Sequence, residues 1–328
     1  MRHIYLKLWT ALLTMSFFAS ASSAEELLNR QNKVWQPAGN ATEIALWPAQ
    51  PPPGSPRAKR DESFGTGKKQ IAGRPFTVVE DVSRPTMAIF RAQGQDTGNT
   101  IVVFPGGGYR VLAIDLEGTE ICDWLTAKGI TCVILKYRVP GSGPYWSDEC
   151  NCRRIPEQPM ALQDAQRAIG LLRARAAELG INPRKIGVLG FSAGGHLVAD
   201  ISNHEKRTYR AVDVADSESS RPDFAMSVYP GHLWKKPGLT LNPSIKIASN
   251  CPPTLIIQAG DDPVDDVRHG IVYYLALQQA NIPVEMHLYA HGGHAFGVRE
   301  TAEPITHWTA VAEKWLSTIG TLPPASRQ

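Results

Sequence analysis

A serine flanked two residues away on each side by glycine, Gly190-Phe191-Ser192-Ala193-Gly194, follows the apolar run Ile186-Gly187-Val188-Leu189 and precedes Gly195-His196-Leu197-Val198-Ala199. This spacing suits a sharp strand-to-helix turn. Small flanking residues let strand and helix close on each other and push a strained serine hydroxyl into a cleft. The hydroxyl is a weak nucleophile until a histidine takes its proton, and that histidine needs a carboxylate to hold its tautomer and stabilise its charged form. Asp262 follows the apolar run Leu255-Ile256-Ile257-Gln258, and His294 lies in His291-Gly292-Gly293-His294-Ala295-Phe296-Gly297. In the order serine, aspartate, histidine, the three support nucleophilic attack on an acyl carbon.

Neighbours compete for two of these roles. His291 is the alternative to His294, and Asp261, Asp265 and Asp266 are alternatives to Asp262. Asp265 and Asp266 read better as caps of the following helix, where negative charge suits the N-terminus. His196 and the remaining histidines read as structural or substrate-facing. An oxyanion on the attacked carbonyl needs two or more backbone N–H groups. Ala193, directly after the serine, supplies one, and Gly107 or Gly108 in Pro105-Gly106-Gly107-Gly108-Tyr109 supplies the other. No Lys-Ser/Thr follows these glycines, which argues against a phosphate cradle.

Strands and helices must carry these residues to one edge. Strands are expected at 76–79, 86–91, 100–104, 131–137, 224–229, 254–258 and 284–289, together with the run before Ser192. Helices are expected at about 117–128, 157–179, 265–280 and 302–319. Such alternation predicts an α/β fold: a mostly parallel sheet covered on both faces, with antiparallel opening strands at one edge. Ligands of open α/β sheets bind outside the carboxyl ends of the strands, where every candidate falls. Two loops there, 139–157 with Tyr145 and Trp146 and 229–242 with His232 and Trp234, together with Tyr109, are expected to shape the substrate pocket.

The chain has 328 residues. Arg2, His3 and Lys7 precede an apolar stretch from Leu8 to Ala19 and small residues up to Ala24, which reads as a signal peptide over 1–24. The stretch is short of the roughly 20 residues that span a bilayer, so no membrane association is expected after cleavage, and the destination is the periplasm or the exterior. Removing it leaves 32 basic and 31 acidic residues, a balance that implies no nucleic-acid partner. Residues 25–70, rich in Pro, Gly and charge, are expected to form an extended arm, and 71–320 the single domain. Of five cysteines, Cys122 and Cys132 sit in apolar contexts and read as buried thiols, while Cys150 and Cys152 lie in a loop and could bridge to each other or elsewhere. No metal-ligand spacing accompanies them, and no cofactor is expected. No motif sets an oligomeric state.

The chain resembles the α/β-hydrolase superfamily and, within it, secreted acetylxylan-esterase-like and feruloyl-esterase-like proteins. The resemblance covers roughly residues 75 to 320. It rests on Arg84-Pro85-Thr86, Pro105-Gly106-Gly107-Gly108-Tyr109, Leu116-Glu117-Gly118, Leu135-Lys136-Tyr137-Arg138-Val139-Pro140, the segment Gly190 to His196, and Gly293-His294-Ala295-Phe296-Gly297. It implies an exported serine ester hydrolase that removes acetyl or other small acyl groups from plant-type polysaccharides or oligosaccharides without a cofactor. The alternatives are a broad carboxylesterase, an amidase or peptidase on the same three residues, and a binding protein using the fold alone. Glu117 and Tyr137-Arg138 recur in the pattern and read either as helix-start charge and a structural ion pair or as catalytic groups. The chain departs from the family pattern at Val264-Asp265-Asp266, where Val-Pro often follows the acid.

Overall fold

Eight segments form the central sheet of the protein, described here as a computed structural model. They are β1 (Thr42–Ala45), β2 (Thr86–Phe90), β3 (Thr100–Phe104), β4 (Thr131–Lys136), β5 (Ile186–Phe191), β6 (Ala225–Val228), β7 (Thr254–Ala259) and β8 (Val284–Tyr289). The structure describes residues 27–39, 41–53, 58–147, 150–154, 159–204 and 206–322; the expected signal peptide lies outside them. Every residue of β3 to β7 is buried, which explains why these strands read as continuous apolar runs rather than alternating ones. The sheet order is β8-β7-β6-β5-β3-β4-β2-β1. From β8 to β4 neighbours run parallel, and β2 and β1 complete the edge antiparallel.

The sheet is flanked by α1 (Glu120–Ala127), α2 (Met160–Ala174), α3 (Ala193–Asn203), α4 (Arg268–Gln279) and α5 (Trp308–Thr318). A π-type turn over Asp115–Thr119 leads into α1. The long helix expected over 157–179 is broken at Arg175 into α2 and a short segment, Ala176–Leu179, which ends at left-handed Gly180. Residue 157 lies outside the described residues.

Two expectations are corrected. Residues 25–70 are not simply an extended arm: Thr42–Ala45 is the edge strand of the main sheet, and Leu28–Gln31 and Ser63–Ile71 join Arg74–Glu80 and Val111–Ala113 in a separate antiparallel sheet. The expected 76–79 strand therefore belongs to that smaller sheet. Its hairpin turns through Ala72 and Gly73, both at positive φ (48° and 69°), and alanine in that conformation gives no turn signal in sequence. Cys122 and Cys132 are joined by a disulfide rather than free, because the buried face of α1 packs on β4 and brings their Cα atoms to 5.2 Å. Cys150 and Cys152 bridge to each other, and Cys251 is free and buried.

Arg138 is structural. Its guanidinium and backbone N–H bind Asp164, and it also donates to Gln163 and to the carbonyls of Pro52 and Met160. The Trp47 indole donates to the same carboxylate, fastening the segment after β1 to α2.

Candidate active site

The turn between β5 and α3 is as tight as its glycines suggested. A Cβ on Gly194 would lie 2.0 Å from the Phe104 carbonyl oxygen, so only glycine lets α3 approach the end of β3 this closely. Ser192 itself adopts φ 53°, ψ −116°, a strained conformation for a residue with a side chain. Hydrogen bonds hold it there. Its N–H donates to the Val228 carbonyl (3.1 Å), and its carbonyl accepts from His196 N–H (3.0 Å) and Gly231 N–H (3.2 Å).

The loops after β7 and β8 bring Asp262 and His294 to this serine. His294 Nε2 lies 3.1 Å from Ser192 Oγ, and His294 Nδ1 lies 2.7 Å from Asp262 Oδ2. The other Asp262 oxygen, Oδ1, accepts from the N–H groups of Val264 (2.8 Å) and Asp265 (2.9 Å), so one buried carboxylate orients both the imidazole and its own loop. This arrangement puts the proton on Nδ1 and leaves Nε2 to accept from serine. Burial works to lower the His294 pKa, but the Asp262 hydrogen bond and charge, followed by Asp265 and Glu117, outweigh it and hold the pKa above the ordinary histidine value.

The competing pair lies elsewhere. His291 and Asp261 bind each other at 3.2 Å on the surface, with 69% of the histidine side chain exposed, and Asp261 accepts from Gly293 N–H beside His294. Asp266 lies one residue before the N-cap of α4, Val267, and accepts from Arg268 N–H. The capping expectation for Asp265 is corrected. The helix expected from Asp265 starts only at Arg268, and the Asp265 carboxyl turns inward to lie 3.1 Å from Ser192 Oγ and 3.8 Å from His294 Nε2. Burial pushes its pKa up.

The glycine-rich turn after β3 stands against the serine: a Cβ on Gly106 would come within 3.0 Å of Ser192 Cβ. Gly107 has φ 131°, and its Cβ would strike the Val111 carbonyl at 2.2 Å. Its own carbonyl accepts from Arg110 and Val111 N–H and closes the turn. Behind the turn lies Glu117, read from sequence as helix-start charge or a catalytic group and in fact buried. It accepts from Gly106 N–H (2.7 Å) and the Tyr229 hydroxyl (2.8 Å), and burial raises its pKa. The Tyr137 hydroxyl donates to the Pro105 carbonyl. Ala193 opens α3, where a helix's first N–H groups have no intrahelical acceptor. Ala193 directly follows the serine in the chain, and Gly107 and Gly108 belong to the turn whose Gly106 stands against it.

A pocket of about 310 Å³ opens beside Asp265, lined among others by Tyr109, His196, His232, Trp234 and His269. His196 binds the Tyr109 hydroxyl through Nδ1 (2.6 Å), and burial drives its pKa down to about 4, so it is neutral at neutral pH. His269 Nδ1 accepts from Trp234 N–H (2.8 Å), which leaves the proton on Nε2. Of the residues expected to line the pocket, Tyr109, His232 and Trp234 do so, although Arg268 covers the Trp234 ring at 3.7 Å. Tyr145 is not among the lining residues. It lies on a hairpin, Tyr145–Ser147 with Cys152–Arg154, beside Trp146, whose side chain lies outside the described set. Among the described residues no cluster of His, Cys, Asp or Glu could hold a metal ion, and no helix is long and apolar enough to cross a membrane.

Comparison with known proteins follows the same lines. Residues 91–228 match the BD-FAE family. An acetylxylan esterase of Xylanibacter ruminicola is 32% identical over 248 residues, 68% of this chain and 46% of that protein. Endo-1,4-beta-xylanase B of Butyrivibrio fibrisolvens is 25% identical over 222 residues, 60% of this chain and 32% of that one. The chain thus spans less than half the length of either curated relative. The crystal structure of an acetyl ester-xyloside bifunctional hydrolase from Caldicellulosiruptor lactoaceticus superposes with a TM-score of 0.62 at 30% identity, covering 73% of this chain and 89% of that one. By sheet order and kinship with that structure, the chain belongs to the α/β-hydrolase superfamily.

Proposed function

We propose that the protein is an exported serine ester hydrolase that removes acetyl or similarly small acyl groups from polysaccharides or oligosaccharides of plant type. One observation carries the reading: Ser192, on the elbow between β5 and α3, is within hydrogen-bond distance of a histidine that is itself bound to a buried carboxylate. In this mechanism Ser192 Oγ attacks the ester carbonyl while its proton passes to His294 Nε2. Asp262 stabilises the imidazolium, and the N–H groups of Ala193 and of Gly107 or Gly108 stabilise the oxyanion. Collapse of the tetrahedral intermediate transfers the proton from His294 to the leaving alcohol. Water, deprotonated in turn by His294, then frees the carboxylic acid and restores the serine.

The kinship with a protein named for acetyl ester and xyloside hydrolysis and with one named acetylxylan esterase supports a carbohydrate ester. Export rests on the sequence of residues 1–24. The test is acid release from acetylated xylan, a feruloylated oligosaccharide and a simple aryl acetate by the mature protein and its Ser192→Ala variant. Acetate from xylan, lost in the variant, is the expected result. Activity on the aryl ester alone defines a general esterase, and none on any substrate favours a binding protein.

A further inference from the structure

We propose that Asp265 is a specificity-determining residue, whose carboxylate accepts a hydrogen bond from a free hydroxyl next to the ester on the alcohol side of the substrate. The proposal rests on the serine-hydrolase reading above. Asp265 departs from the Val-Pro pattern at this place, and the structure gives the departure a location: one wall of the pocket, 3.1 Å from the nucleophilic oxygen. Its backbone is fixed by its N–H bond to Asp262 Oδ1 and by the Gln258 side-chain amide, which donates to its carbonyl (3.2 Å). Gly231 makes room for it, since a Cβ there would come within 2.6 Å of Asp265 Oδ1. A carboxylate so placed is an acceptor in need of a donor.

An acetyl group offers no donor and is far smaller than a pocket of about 310 Å³. The polar wall formed by Asp265, His196, His232 and His269 therefore serves the alcohol part of the substrate, and a sugar ring carries the hydroxyls that such a wall can bind. Competition for the Ser192 proton gives this contact a second effect. With no other side-chain donor to its carboxylate among the described residues, Asp265 takes the hydrogen bond of the serine hydroxyl and draws it from His294, 3.1 Å from the same oxygen. A substrate hydroxyl donating to Asp265 satisfies the carboxylate and returns the serine proton to His294. Esters with a neighbouring hydroxyl then gain in turnover as well as in binding.

The experiment compares kcat/KM of the mature protein, Asp265→Ala and Asp265→Asn on three acetates: a simple aryl acetate, a xyloside acetylated on one hydroxyl, and the same xyloside with the adjacent free hydroxyl replaced by hydrogen. The wild type is expected to prefer the hydroxyl-bearing xyloside. Asp265→Ala is expected to lower kcat/KM on that substrate about 10- to 100-fold relative to the other two, the range for a charged hydrogen bond. Asp265→Asn, which keeps one acceptor oxygen, falls between. An equal loss on all three substrates, or a wild type indifferent to the adjacent hydroxyl, overturns the proposal. If Asp265→Ala does not fold, the wild-type preference and the Asn variant decide. Hydrolysis of the aryl acetate that survives in Ser192→Ala would instead bring down the serine-hydrolase reading itself.

Discussion

The Arg167 cluster, with buried Asp216 and exposed Asp213, and the Ser192 site balance their carboxylates in opposite ways. Arg167, 2% exposed, donates to both Asp213 oxygens at 2.7 and 2.5 Å and lies 3.0 Å from Asp216, with Arg207 at 3.6 Å from Asp216. The Arg167 hydrogen bond holds the Asp213 pKa down. Burial works to raise Asp216, yet the Tyr209 hydroxyl, Val212 N–H and Arg167 together keep it below the ordinary value. Two cations thus meet two anions. At the site, Asp262, Asp265 and Glu117 gather around His294, the one group among them able to become positive, and burial raises both Asp265 and Glu117. The first cluster is complete in its resting charge state. The second becomes complete when His294 takes up a proton, which is the state that acyl transfer creates.

The contrast breaks most severely at Asp262. Asp262→Asn is expected to lower kcat by about 10⁴-fold with the fold retained, since an amide there favours the wrong imidazole tautomer. A loss below about tenfold would mean that Asp262 does not hold the imidazole tautomer. Breaking the balanced cluster affects a different quantity. Arg167→Ala leaves two carboxylates without their shared cation and is expected to cost about 3–5 kcal/mol in urea unfolding, while kcat/KM measured well below the transition stays within about twofold. Because Asp213 and Asp216 are depressed in the folded protein, their stabilisation is present above the unfolded aspartate pKa and is lost as pH falls through the folded values. Arg167→Ala should therefore also flatten the acid side of the stability profile.

The smallest effect sharpens the comparison through pH. Since kcat/KM requires neutral His294 and its neighbours raise its pKa, the acid limb of the rate profile should lie above the ordinary histidine value. Asp265→Asn removes one of the three negative neighbours, favours the imidazolium less, and should move that limb to lower pH. A limb that stays in place would mean that Asp265 does not share the field of His294.

The central sheet was legible because buried parallel strands are written as unbroken β-branched and apolar runs, and the elbow because glycine has no substitute where Gly194 meets Phe104. Ser192, Asp262 and His294 come together as the sequence order suggested. Asp265 was misread for a physical reason: an aspartate three residues before a helix carries the same signature whether it caps that helix or turns away from it. Glu117 was obscure in another way. Its partners, Gly106 N–H and the Tyr229 hydroxyl, come from distant strand ends, and no local pattern announces a carboxyl buried between them. The hairpin at Ala72-Gly73 and the Cys122–Cys132 bond share that origin, since each is settled by packing rather than by its own segment.

That last bond bears on the history of the molecule as well as its shape. Both sulfur-bearing residues are sealed under α1, at 1% and 0% exposure. A thiol pair in that position is within an oxidant's reach only while the helix is still loose on the sheet. A chain that closes in a reducing compartment encloses two thiols that later oxidant reaches only by reopening the helix, so the order of oxidation and closure selects between two covalently different products of one gene.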